Sequence, residues 1–167
     1  SSGERLLALP TFRPVIGLSV GVTITLTGGT EVELLPAQGD GPPGMKILFG
    51  RVLLSTVGKP NALFRIQVED QTGLLTLLDP DSTAAIDVSR LHIPGNDPAR
   101  QPDPVRVEIY ASNGRSVWTG PDGKPVLISS GQMLPIEMRW MLREGFQVPA
   151  WEVVAGEPVQ REKPGWI

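Results

Sequence analysis

The chain contains no cysteine and a single histidine. Without cysteine there is no disulfide, no thiolate nucleophile and no thiolate metal site. One imidazole, His92, cannot build the multi-histidine centres of zinc or cupin-type iron proteins, so no metal or other cofactor is expected. A Ser-His acyl-transfer site would rest on the same residue. It stands in Leu91-His92-Ile93-Pro94, at a strand end before a proline loop, with no Gly-x-Ser-x-Gly elbow elsewhere. Aromatic residues make up only 5% of the chain, and asparagine occurs only at Asn61, Asn96 and Asn113. That is little material for the exposed row of rings and amides a carbohydrate-binding face requires. The formal charge of −3 gives no basic surface for nucleic acid or anionic lipid. No apolar run approaches the roughly 20 residues a helix needs to cross a bilayer. With 19 glycines and 17 prolines spread along 167 residues, long helices are broken almost everywhere.

What is present is alternation with period two, in a composition (40% hydrophobic, 20% charged) that fits one folded domain. Val22, Ile24 and Leu26 face one way and Thr23, Thr25 and Thr27 the other. Gly28-Gly29 follows, then Glu31 and Glu33 alternate with Val32 and Leu34. The pattern predicts a hairpin turning at the glycines. Residues 45–55, interrupted by Gly50-Arg51, predict two short buried strands meeting at a bend. Phe64, Ile66 and Val68, followed after a turn over residues 70–73 by residues 74–78, predict a second hairpin. Ala84, Ile86 and Val88 form a further face, as do Val105, Val107 and Ile109.

Asn113-Gly114 is the best hairpin signal, joining residues 105–112 to 115–119, since both tolerate the positive φ of a type I′ turn. Asp122-Gly123 turns the chain into residues 125–129, and Gly131 leads to 133–136. Proline-rich residues 90–104 read as the longest irregular stretch. Residues 137–144 predict one short helix, with Met138, Met141 and Leu142 on one face and Gly145 ending it. The tail from Gln147, with Trp151 and Trp166, is expected to dock as an edge strand.

The fold class is therefore all-β: a stacked two-layer sandwich or solenoid-like domain of roughly ten or more short strands, with at most one short helix. A jelly-roll sandwich is the alternative.

Candidate chemistry is sparse. Glu31 and Glu33 lie on one strand face, roughly 6–7 Å apart, with Thr23 and Thr25 expected across from them. Without a cleft they read as a solvent face, and no catalytic residue is assigned. Hard oxygen ligands for calcium occur in Asp79-Pro80-Asp81-Ser82-Thr83 and in Gly95-Asn96-Asp97. The candidates are Asp79, Asp81, Asn96 and Asp97, all of which also suit plain turn chemistry. Gly28-Gly29-Thr30 precedes no helix and fails as a phosphate loop. Trp118, within a strand, reads as core.

Read in order, these segments resemble the FecR domain of bacterial envelope and sigma-regulator proteins. Leu26-Thr27-Gly28-Gly29-Thr30-Glu31-Val32-Glu33-Leu34-Leu35-Pro36 is similar to that family's strand, glycine turn, strand and proline unit. Met45-Lys46-Ile47-Leu48-Phe49-Gly50-Arg51-Val52 looks like its strand closing on Gly-x-Val. Phe64-Arg65-Ile66-Gln67-Val68 and Leu74-Leu75-Thr76-Leu77-Leu78 resemble the strands leading to its Gly-Thr-x-Phe-x-Val. That element here reads Ser82-Thr83-Ala84-Ala85-Ile86-Asp87-Val88, with Ser82 in place of the glycine and Ala85 in place of the aromatic, as in a divergent member. Residues 105–117 and Val126-Leu127-Ile128-Ser129-Ser130-Gly131-Gln132 resemble the closing hairpin and the Leu-x-x-Gly-Gln signature.

The resemblance covers about residues 20–136, between an N-terminal extension with a first strand (1–19) and a tail (137–167). It implies a noncatalytic, extracytoplasmic module in the periplasm or cell envelope that signals through contact with a protein partner. It implies no nucleic acid, and membrane attachment only through other parts of a parent protein. The opening Ser1-Ser2-Gly3 and the charged, proline-containing end lead us to expect a piece of a longer protein. A carbohydrate-binding sandwich and a purely architectural domain are the rival readings.

Overall fold

The structure, a computed structural model, describes residues 3–142 and 149–167. It is all-β, as the alternation requires. Its strands are β1 (Arg5–Ala8), β2 (Val15–Leu18), β3 (Val22–Leu35), β4 (Gly44–Thr56), β5 (Ala62–Val68), β6 (Gln71–Leu77) and β7 (Thr83–Arg90). Then follow β8 (Val105–Asn113), β9 (Ser116–Thr119), β10 (Pro125–Ile128), β11 (Gln132–Leu142), β12 (Pro149–Ala155) and β13 (Val159–Gln160).

Hydrogen bonding links these 13 strands into one sheet, which doubles back on itself along the long β3–β4 ribbon. The second half of β3 and the first half of β4 carry β1 and, through a parallel pairing of Gly44–Lys46 with β5, the series β5-β6-β9-β10. The other halves carry β2 on one side and β7-β8-β11-β12 on the other. The parallel β4–β5 pairing departs from a purely antiparallel jelly roll.

The two wings face each other across the core. Ile66, Val68 and Trp118 of one and Val107, Ile109, Ile136 and Met138 of the other enclose a void of only about 20 Å³, room for about one water. Ile24, Leu26, Val52, Leu54, Phe64, Ile86, Ile109 and Leu134 are fully buried there.

Gly28-Gly29 is not a hairpin turn. β3 runs unbroken for 14 residues and β4 for 13, where two short strands were expected. Gly28, Gly29 and Thr30 form a bulge opposite Gly50, between the Thr27–Arg51 and Glu31–Phe49 pairs. Such a bulge bends and twists a ribbon, and this one marks where the two wings part. Thr30 closes it from inside. Its hydroxyl donates to the Thr27 carbonyl (2.7 Å) and accepts from the Arg51 N–H (2.8 Å), so the ladder groups left over by the bulge stay satisfied. Gly50 has φ +104°, and a Cβ there would lie 2.3 Å from Thr30 Oγ1 and 2.6 Å from the Gly29 carbonyl oxygen.

The Asn113-Gly114 hairpin is also overturned. β8 pairs with β7 and β11, whereas β9 pairs with β6 and β10, so this turn carries the chain from one wing to the other. Gly114 has φ +65°, but Asn113 is not in the left-handed region. The Asn113 amide instead donates to the Asp81 carbonyl (2.8 Å).

Residues 137–142 are strand, not helix. Their helix-forming composition yields to pairing with β8 on one side and β12 on the other. Met138 enters the core while Met141 and Leu142 are exposed, so no helical apolar face exists. Residues 143–148, where the expected helix would end and the tail begin, lie outside the described residues.

Other expectations hold. β5–β6 is a hairpin, though it turns at Glu69-Asp70 and takes Gln71–Gly73 into β6 where a turn over residues 70–73 was expected; β9–β10 is a hairpin with Gly123 in its loop, and residues 91–104 are irregular. β12 lies at the end of the strand order.

Gly50→Ala is expected to cost about 2–4 kcal/mol in urea unfolding, because a positive φ and a backbone clash coincide. Gly28→Ala, at φ +68° with no atom within 4 Å of the added Cβ, is expected to cost about 1 kcal/mol. Equal losses at the two positions would remove Gly50 from its role as the corner.

Candidate functional site

The residues singled out as calcium candidates occupy opposite ends of β7. Asp79 and Asp81 precede its first residue, and Asn96 and Asp97 follow its last. Eight residues of strand, roughly 26 Å, separate the two groups. At the first end Asp79 is clamped by Arg115: its carboxylate accepts from the Arg115 guanidinium and from the Arg115 N–H, both at 2.8 Å. Ser82 Oγ donates to the Arg115 carbonyl (3.2 Å) and accepts from the Asp79 N–H (2.9 Å). Together with the Asn113–Asp81 bond, this network pins the crossover between wings. The side-chain and backbone hydrogen bonds from Arg115 hold the Asp79 carboxyl below its ordinary range, against an opposing effect of partial burial.

At the other end Asn96 donates to the Gln101 carbonyl and to Asp103, both at 2.9 Å, and Asp97 accepts from the Ala99 N–H (3.0 Å). Asp103 is also held below its usual range, first by Asn96 and secondarily by His92, whose Nδ1 lies 3.6 Å away. His92 thus belongs to a self-bonded surface loop. Among the described residues, no three His, Asp or Glu side chains converge as a metal site would require.

Glu31 and Glu33 sit on the outer face and share Arg5 at 3.7 and 3.8 Å. Their cross-strand neighbours are Leu7 and Phe49, and Arg5 and Lys46, not Thr23 and Thr25. They form a charge ladder, not a cleft.

The concave feature that does stand out was not visible in the sequence. β10 and β12 end the two wings on one flank, and among the described residues each is paired on one side only, as β1 and β2 are at the other end of the strand order. Between β10 and β12 runs an open groove of about 520 Å³, lined by Gln71, Trp118, Pro121, Lys124, Trp151 and Val153 among others. Trp118, expected in the core, is 7% exposed and packs its ring on Gly73, where a Cβ would meet it at 2.2 Å. Trp151 is 5% exposed and meets Trp140 edge-to-face at 5.4 Å. Neither tryptophan offers an open ring face for sugar stacking. They floor the groove between Val126 of β10 and Val153 of β12, while Leu127 and Val154, next along the same edges, stand half exposed on the outer side. Such strand edges beside a groove of mixed polar and apolar lining suit an extended polypeptide, which can add hydrogen bonds along an edge.

No protein-family model and no curated protein sequence matches the chain. Two crystal structures of a candidate anti-sigma factor from Parabacteroides distasonis ATCC 8503, at 2.50 and 1.65 Å resolution, are similar to it in fold. Each gives a TM-score of 0.53 over 92% of this chain, at 8% and 6% identity respectively. At such identity the likeness is one of fold. The chain spans 59% of the length of those two.

Asp79, held low, stabilises the fold while ionised. That contribution is present above about pH 4 and is lost as the pH falls through the lowered folded-state value. In Arg115→Met, carboxyl NMR should show Asp79 titrating nearer its ordinary range, and the stability gap to the parent chain should narrow towards about pH 2. Gly114→Val should lose about 1–3 kcal/mol, since its Cβ would meet Ser82 Oγ at 2.6 Å. A wild-type urea midpoint for that variant would contradict the crossover geometry.

Proposed function

We propose that this chain is a noncatalytic, FecR-like signalling module of a bacterial cell envelope, and that it binds a protein partner along the open flank between β10 and β12. The observation that carries the reading is that flank: two strand edges, each paired on one side only among the described residues, beside a groove floored by Trp118 and Trp151 and rimmed by Gln71, Asp122 and Lys124. An edge left open in this way is a template for another strand. Support comes also from the order of FecR-like segments in the sequence and from the fold shared with a candidate anti-sigma factor. The extracytoplasmic setting and any control of a sigma factor are parts of this proposal that rest on the resemblance alone.

A photo-reactive residue in place of Leu127 or of Val154 should cross-link one and the same envelope protein in cells. The same residue at Val15, 64% exposed on β2, should not. Leu127→Lys with Val154→Lys should then weaken that partner at least about tenfold with little change in melting temperature. Cross-linking from Val15 alone, or undiminished binding by the double variant, would move the interface elsewhere.

A further inference from the structure

The outer face of the β4-β7-β8-β11 wing carries two neighbouring rows of side chains. In one register line Leu53, Ala85, Tyr110 and Met133 stand side by side, an apolar row on a face that points away from the core. In the next, Arg51, Asp87 and Glu108 are cross-strand neighbours. Two carboxylates directly opposite each other repel, so each needs a cation. Asp87 receives one from the scaffold, Arg51, at 3.0 Å. Glu108 receives one from the C-terminal tail, Arg161, at 3.6 Å.

The same tail covers the apolar row. Trp166 and Ile167 pack against the buried Ala85, Tyr110 and Met133. The Trp166 indole lies under the Arg51 guanidinium, 5.4 Å from its carbon to the ring centroid, within cation–π range. Its carbonyl accepts from Arg13.

The seat is specific, yet it is not filled to core density. A space of about 210 Å³ remains between Arg161, Glu162, Pro164 and Trp166 of the tail and the sheet beneath. After β13 the tail adds no strand pairing; Pro164 lacks the N–H a ladder would need.

We infer that this face is a peptide dock for an extended segment that presents a basic side chain to Glu108 and an indole to Arg51 and the apolar row, and that residues 161–167 occupy it as an exchangeable ligand in cis. Without such a segment Glu108 lacks its ion-pair partner, and the apolar row of Ala85, Tyr110 and Met133 is uncovered. The same stretch supplied from a second molecule fits it equally. This dock lies on the outer face of one wing and stands independently of the flank between β10 and β12.

The probe is a synthetic peptide of residues 157–167. With 5-fluorotryptophan at position 166 it should bind the full chain carrying Trp166→Ala saturably, as followed by fluorine NMR. Binding to the unaltered chain should be at least about tenfold weaker, because the tethered tail competes at high effective concentration. A peptide with Arg161→Ala should bind several-fold more weakly, and added salt should reduce binding of the parent peptide.

The unaltered chain provides a second reading that needs no variant to fold. With its four tryptophans labelled, millimolar unlabelled peptide should move the Trp166 resonance towards that of a solvated indole and leave the other three in place. The inference fails if the peptide binds both chains with equal affinity. It fails also if a folded Trp166→Ala chain does not bind it, or if the Trp166 resonance of the unaltered chain ignores the peptide.

Discussion

Everything in this fold depends on the corner where Gly50 passes Thr30. A flat hairpin of the length of β3–β4 would present one continuous face and could not serve two layers. The bulge of Gly28, Gly29 and Thr30 against Gly50 parts the ribbon into two directions, and each half then nucleates its own series of strands. Close approach at that point leaves no room for a Cβ on Gly50. The Thr30 hydroxyl takes up backbone groups that the bulge removes from the ladder. A buried threonine at a strand position would ordinarily be a cost; here its two hydrogen bonds make it the fastening of the corner.

A second seam holds the wings together where the chain crosses back after β8. There the work is done by polar side chains: Arg115 on Asp79 and Asn113 on the Asp81 carbonyl at the surface, with Ser82 buried between them. A type I′ hairpin would have kept β8 and β9 in one layer. Anchoring the turn to the 79–82 loop sends β9 to the opposite layer, beside β6. The oxygen-rich loop that resembles a cation site in the sequence is thereby committed to an internal guanidinium.

Folding one sheet back on itself leaves β10 and β12 as free edges on one flank, while β1 and β2 are the edges at the other end of the strand order. The proposed partner site follows from the way the core is made, not from any added loop. The tail solves a different problem. It screens an apolar row and a like-charged pair that the outer face of the sheet would otherwise expose.

Much of this was legible in the residues. Period-two alternation establishes strands, one buried face for each, and the absence of a helix long enough to matter. The single histidine and missing cysteine removed most metal and nucleophile chemistry. Even the corner left a trace. Ile24, Leu26, Thr30 and Val32 stay in phase across the glycine pair, whereas a two-residue turn at Gly28-Gly29 would have set Leu26 opposite Glu31 on a buried face.

Only the tertiary structure decided which strands are neighbours. Asn113-Gly114 has the local chemistry of a hairpin, and residues 137–142 have the composition of a helix. Both were overruled by partners distant in the chain: the 79–82 loop for the first, β8 and β12 for the second. The groove between β10 and β12 and the tail over Ala85, Tyr110 and Met133 are likewise long-range pairings. The sequence by itself determined that most segments are strands and which side chains they bury, because a strand's two faces are set by local alternation. It could not determine the edges, the corner or the sites they create, because hydrogen bonds between strands join backbones, which carry no sequence signature of their own.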